Sequence, residues 1–170
     1  MRGILLAFAA LAMFAAQAVA ADGAIVNRLD KAKVGEWVMM QDVSGDSVGE
    51  KTKVEVIAVR DGMVVIKREH YDENGAVSDS KEHEIKLDRY AQRMADLQEK
   101  AKQISRERLT VKDKEMTVQA VSWDDEDPDD ADARREFKIW VSEDLPIGGI
   151  AKTWSSDPGF PAAEVIDYGF

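Results

Sequence analysis

Two dipeptides, Asp61-Gly62 and Asn74-Gly75, constrain what this chain can fold into more than any other feature of it. They separate three runs rich in β-branched residues, 52–60, 63–72 and 76–87, and each suits a two-residue type I′ hairpin turn, whose central positions both take positive φ. Such a turn fixes register. The first sets Val59 against Val64, Ile57 against Ile66 and Glu55 against Arg68, and the second sets Ile85 against Val64, His83 against Ile66 and Asp79 against His70. One face of a three-stranded meander then carries Ile57, Val59, Val64, Ile66, Ile85 and Leu87. Two separate turns agree on one apolar face, and because side chains alternate along a strand, a slip of one residue in either would turn that face outward.

The flanking segments extend the pattern. Residues 34–43 read as a strand ahead of a loop at 44–50, and strands resume at 108–111, 116–123, 136–142, 150–154 and 163–168. Between the meander and these strands the period changes: Tyr90, Met94, Leu97, Ala101 and Ile104 recur at helical spacing with charged and amide residues between them. This predicts an amphipathic helix over 88–104, N-capped by Asp88, whose apolar stripe needs a sheet to cover. Ile25, Val26 and Leu29 suggest a short helix over 24–32. The expected fold is mainly β (α+β), a curved antiparallel sheet or open half-barrel of about nine strands with the 88–104 helix packed on it.

Residues 1–20 have a charged start at Arg2, an apolar run from Ile4 to Ala16 and a small-residue exit at Ala18-Val19-Ala20. That is the pattern of a secretory signal peptide, too short in its apolar run to span a bilayer. Cleavage after Ala20 leaves a single exported β-rich domain, 21–170, periplasmic or secreted, with no transmembrane span. Export gives meaning to the absence of cysteine: the fold rests on core packing without disulfides, and thiol nucleophiles and thiolate metal sites are excluded. The net charge of −10 includes seven carboxylates within the nine residues 124–132, and no basic stripe of the kind a nucleic-acid partner requires is present.

Few motifs carry chemistry. Gly45-Asp46-Ser47-Val48-Gly49 matches a nucleophile elbow in letters, but a strand follows where that turn must lead into a helix. His70 and His83 stand four ladder steps apart, roughly 13 Å at 3.4 Å per residue, too far to share a metal ion, and His70 opposite Asp79 reads as a cross-strand charge pair. Asp125, Asp127 and Asp129, with Glu136 eleven residues after the first, approach a calcium loop, whose twelfth-position Glu supplies two oxygens. Against that stand Asp130 where a glycine makes the sharp turn, Pro128 within the loop, and strands in place of the flanking helices; the plain alternative is a solvated acidic loop. Tyr168 and Phe170 at alternate positions suit the closing strand of a membrane barrel, but charges on both faces of 63–72 and 76–87 keep these strands from lipid. No catalytic residue is assigned and no cofactor is implied, since no nucleophile, base and orienting group fall together.

Lys33-Val34-Gly35-Glu36-Trp37-Val38 near the start, with Trp140, Ser142, Pro146, Gly148, Gly149 and Lys152 near the end, resembles an uncharacterised family of exported bacterial proteins. That family opens on a Val-Gly-acid-Trp-Val strand and carries a late W-x-S-x-x-hydrophobic-P-x-G-G-x-x-K hairpin. The cysteine many of its members have in the middle strands is absent here, where Val118 stands, and the resemblance implies no activity. The functional expectation is a non-enzymatic cell-envelope binding protein that holds an apolar ligand, a lipid or another apolar small molecule, or a protein segment, between helix and curved sheet. Ile57, Ile66, Ile85, Met94 and Leu97 are the expected lining. The alternatives are a structural or assembly subunit pairing an envelope protein partner through a sheet edge, and a calcium-dependent surface module.

Overall fold

The structure, a computed structural model, describes residues 23–43, 49–127, 130–157, 160 and 162–170; for 126, 127 and 130–133 it describes the backbone alone. The leader at 1–20 and the serine of the elbow-like motif lie outside the described residues. Nine strands form one antiparallel sheet: β1 (Trp37–Asp42), β2 (Lys51–Arg60), β3 (Met63–Tyr71), β4 (Val77–Lys86), β5 (Gln103–Val111), β6 (Lys114–Asp127), β7 (Asp130–Val141), β8 (Ile150–Ser155) and β9 (Ala163–Gly169). The one α-helix among the described residues, α1 (Leu87–Lys100), joins β4 to β5.

The strand order is β4-β3-β2-β1-β9-β8-β7-β6-β5, so α1 leaves one edge strand and delivers the chain to the other. Laid flat, nine strands at about 4.8 Å spacing would put these edges about 38 Å apart, whereas a 14-residue helix spans about 21 Å. The sheet therefore curls, and it remains unclosed because β4 and β5 do not pair. The shortest ladder among the described residues is β8 with β9, where Lys152↔Glu164 and Thr153↔Ala163 pair. Among the described residues no helix is long and apolar enough to cross a membrane.

The meander forms with two changes of register, a bulge within β2 and a shift between His70 and Tyr71 beside the second turn. Val64↔Ile85, Ile66↔His83 and His70↔Asp79 pair as the second turn requires, and Val59↔Val64 as the first requires. Beyond Val59, however, a β-bulge makes Ile57 an extra residue, so that Ile66 faces Val56 and Glu55 faces Lys67. The bulge puts Val54 and Val56, 7% and 0% exposed, into the core in place of Ile57. The turns also differ in type: Gly62 and Gly75 take positive φ but Asp61 and Asn74 do not. In the second turn the Asp72 carboxylate accepts the Asn74 and Ala76 amides. The tip with two consecutive left-handed residues, as a type I′ turn demands, is Lys112-Asp113, at φ 49° and 61°.

Further differences fall at element ends. The helix stops at Lys100, and Ile104 belongs to β5 opposite Val121. Asp88 is not the N-cap; it lies in the first turn, its carboxylate accepting the amide of Arg89. Residues 24–32 run as an extended strap with a single 3-10 turn, Leu29–Lys31. The acidic segment is not a free loop either, since its backbone continues the β6–β7 ladder to Asp127 and from Asp130.

Two apolar clusters hold the molecule. The larger joins Val38, Val54, Val56, Val64, Ile66 and Val165 with Leu29 and Ala32 of the strap, Leu145 and Ile147 of the β7–β8 connection, and Val111, Met116 and Val118 near the β5–β6 tip. The smaller joins Ile25, Val121 and Val141, with Met94, Leu97, Ala101, Ile104, Ile139 and Ile150 packed against them. Traced across the ladders, Ile104, Val121, Ile139, Thr153, Ala163 and Asp42 share the sheet face of Val38, Val54 and Ile66. On this face α1 packs through Met94, Leu97 and Ala101 and the strap through Ile25, while Val111, Met116 and Val118, alternating with Ile104 and Val121, belong to the other face of β5 and β6.

Candidate ligand groove

The helix divides its apolar stripe between the clusters. Leu87 and Tyr90 pack against the larger, and Met94, Leu97 and Ala101 against the smaller. Burial pushes the Tyr90 phenol pKa up from its ordinary value. Yet no residue of α1 is fully buried, so one flank of the stripe stays open. Along that flank runs a groove of about 660 Å³ between the helix residues Arg93, Met94, Leu97 and Lys100 and the sheet residues Trp123, Asp125 and Ile139, with Asp96 and Glu99 also on its border.

The sheet wall is aromatic. Trp123 of β6 lies opposite Phe137 of β7, and their rings stack with centroids 5.5 Å apart and planes 14° from parallel. Phe160 meets Phe137 edge-on at 5.8 Å and is 51% exposed. Offset stacking and edge contacts of this kind contribute about 0.5–1.5 kcal/mol each beyond area burial, so the row is a firm surface. Across it, Lys100 Nζ reaches Asp125 Oδ1 at 3.6 Å, both side chains being more than half exposed, and Lys102 pairs with Asp124.

The five residues expected to line one cavity are distributed differently. Met94 and Leu97 line the groove. Ile66 is 5% exposed inside the larger cluster, Ile85 packs against that cluster, and Ile57 is the bulge residue, half-buried and in neither cluster. Trp123 and Ile139 complete the groove and were missed because the acidic segment reads as a loop. Had it been read as a hairpin, the pairing of Trp123 with Phe137 would have followed from alternation.

The calcium candidates do not converge where they are described. Asp125 lies opposite Arg135 and Glu136 opposite Asp124, so Asp125 and Glu136 project from opposite faces of the sheet. Asp129 and the side chain of Asp127 lie outside the described residues. Among the described residues no group of three or more metal-ligating side chains gathers.

Other polar side chains have structural partners. His70 Nδ1 lies 3.1 Å from Thr52 Oγ1, while Asp79, expected to pair with His70, takes Lys81 at 2.8 Å; the Lys81 hydrogen bond holds the Asp79 carboxyl below its usual pKa. Glu107 accepts the Trp140 indole N–H at 2.7 Å and the Lys138 ammonium at 3.0 Å, with Lys138 Nζ also 4.5 Å from the Trp140 ring. Burial pushes the Glu107 carboxyl up, but these two donors outweigh it and hold its pKa low. The edge strand β4 is exposed at every residue but Ile85 and carries Asp79, Lys81, Glu82, Glu84 and Lys86, charges of the kind that keep an edge from adding a foreign strand.

Comparison with protein-family models, with curated proteins and with solved structures finds no match to this chain.

Proposed function

We propose that this protein is a binding protein of the cell envelope, not a catalyst, and that it holds an apolar ligand in the groove between α1 and the sheet. The observation that carries the reading is the open flank of α1, where Met94 and Leu97 face Trp123 and Ile139 across a groove of about 660 Å³. Ligand sites are concave and mostly apolar, with polar groups that fix orientation, and this groove offers an apolar wall of Met94, Leu97, Trp123 and Ile139 bordered by five charged side chains, Arg93, Asp96, Glu99, Lys100 and Asp125. Its position revises the expected one: the ligand lies beside the helix, while the space under it belongs to the core. Residence in the envelope rests on the leader-like residues 1–20.

The test is a titration with N-phenyl-1-naphthylamine, an uncharged apolar fluorophore. Saturable binding at one site, with quenching of Trp123 emission, is the expected result. Met94→Glu should weaken it by about tenfold or more by placing a charge against the chain-binding wall. Binding that survives both Met94→Glu and Trp123→Ala in folded protein, verified by circular dichroism, would put the ligand elsewhere, and no binding at all would remove the reading.

A further inference from the structure

The two edges of the sheet differ. β4 is guarded along its length by charges of both signs, whereas β5, the other edge, has no lysine or proline and pairs with β6 through nine residues without a shift of register. Each of the other ladders longer than five pairs contains such a shift. Bulges twist an edge away from foreign strands, so β5 presents a regular one, and among the described residues its backbone bonds to β6 alone. Its charges decide what can use that edge. Arg106 and Arg108 lie on one face and Glu107 on the other. A second copy related by a two-fold axis would add β5 to itself antiparallel with like faces aligned, and every such register of seven or more pairs sets Arg106 against Arg106, Arg106 against Arg108, or Arg108 against Arg108.

An acidic strand meets no such opposition. The Arg106 side chain has no ion pair or hydrogen bond among the described residues, and Arg108 holds Glu115 only in an exposed pair of the kind that contributes little. Glu107 is engaged by Trp140 and Lys138. On the face of Glu107 the next residues are apolar: Leu109 and Val111 border a pocket of about 240 Å³ with Ala151, Val165 and Ile166, and the lysines at its border, Lys112 and Lys152, are paired with Asp167 and Glu164. We propose that β5 is a docking edge for an extended segment of a partner protein in which acidic and apolar residues alternate. The segment adds a strand to the sheet through backbone hydrogen bonds, with its carboxylates beside Arg106 and Arg108 and an apolar side chain in the pocket. This goes beyond the reading of the groove beside α1 and does not depend on it.

Fluorescence anisotropy with labelled octapeptides, acetylated and amidated at their ends, tests this. A peptide of alternating glutamate and valine should bind saturably and about tenfold or more tightly than one of alternating lysine and valine, and the difference should shrink with salt. Serine in place of valine should weaken binding by about tenfold, the loss of one buried aliphatic side chain, and N-methylation of the peptide amides should abolish it. Arg106→Glu with Arg108→Glu, both exposed positions, should reverse the order of the glutamate and lysine peptides in protein whose circular dichroism is unchanged. Equal binding of those two peptides, or an order that the double variant leaves as it was, overturns the acidic assignment. Binding that survives N-methylation overturns strand addition, a dimer in sedimentation that the double variant dissociates gives the edge to a second copy, and binding of no peptide overturns the docking edge.

Discussion

Glu36 is 2% exposed, and its one charged partner is Arg28 of the strap at 3.1 Å. Each member keeps one buried atom, Arg28 Nη1 and Glu36 Oε2, without a hydrogen bond partner among the described residues. Taking two charges out of water costs several kcal/mol each, and mutual attraction offsets this well only when the remaining lone pairs and protons are satisfied. The pair is therefore a poor source of net stability, but a strong constraint on where the strap lies. Arg28→Met should cost about 3–5 kcal/mol in urea unfolding, because it leaves a buried carboxylate uncompensated, whereas Arg28→Met with Glu36→Leu should be near neutral. A single variant no worse than the double would show that Glu36 finds water or another partner. Strain is also concentrated in one residue: Ile147 takes a φ of 59°, rare for a β-branched side chain, and is held there by its own burial, 7% exposed, and by Gly149. A Cβ on Gly149 would lie 2.5 Å from the Ser142 carbonyl oxygen, so the Pro146-Ile147-Gly148-Gly149 turn is required by packing and needs no ligand to explain it.

At the level of elements, α1 behaves as two halves. Tyr90, in the first half, packs against the larger cluster, and its hydroxyl lies so near the chain that a Cβ on Gly148 would stand 2.8 Å from it. Leu97, in the second half, borders the groove and touches only the smaller cluster. Tyr90→Ala should cost about 3 kcal/mol and Leu97→Ala no more than about half as much, a contrast readable from thermal or urea unfolding. Equal costs would mean that the groove closes over Leu97 in solution. Sequence periodicity found this helix and its stripe, but not this division, because the 3.6-residue period says which side is apolar and nothing about how far a facing sheet extends. The strand β2 gives the complementary case: alternation would place Ile57 with Val59, and only the bulge, with no marker residue such as glycine, hands the core position to Val56.

The whole molecule is one curled sheet whose ends are tied by the helix and whose interior is completed by the strap. The strap backbone is held by side chains rather than by a ladder: Ile25 N–H donates to Gln98 of α1, Val26 N–H to Gln119 of β6, and Gln119 returns a bond to the Ala24 carbonyl. Leu29, 1% exposed, sits in the cluster that β1, β2, β3, β5, β6, β8 and β9 share. Leu29→Ala should therefore cost about 3 kcal/mol and should lower a single transition with the same midpoint by far-ultraviolet dichroism and by tryptophan fluorescence. Separated midpoints would show that the short β8–β9 ladder lets the halves of the sheet unfold independently.

Local chemistry was enough to determine the Val64, Ile66 and Ile85 part of the meander's apolar face, though Val59 beside it is exposed, and the number of strands and the existence and stripe of α1. Turn dipeptides, alternation and helical periodicity are properties of neighbours along the chain, and Val64, Ile66 and Ile85 stand where those rules place them. Tertiary structure alone decided that Ile57 yields to Val56, that 24–32 is a strap and not a helix, and that the apolar surface left open is Met94 and Leu97 against Trp123 and Ile139. Each of these depends on volume: how much space a curled sheet encloses, and which segments fill it first. Residues some 30–90 positions apart compete for that space, and the competition leaves no periodic trace in the sequence.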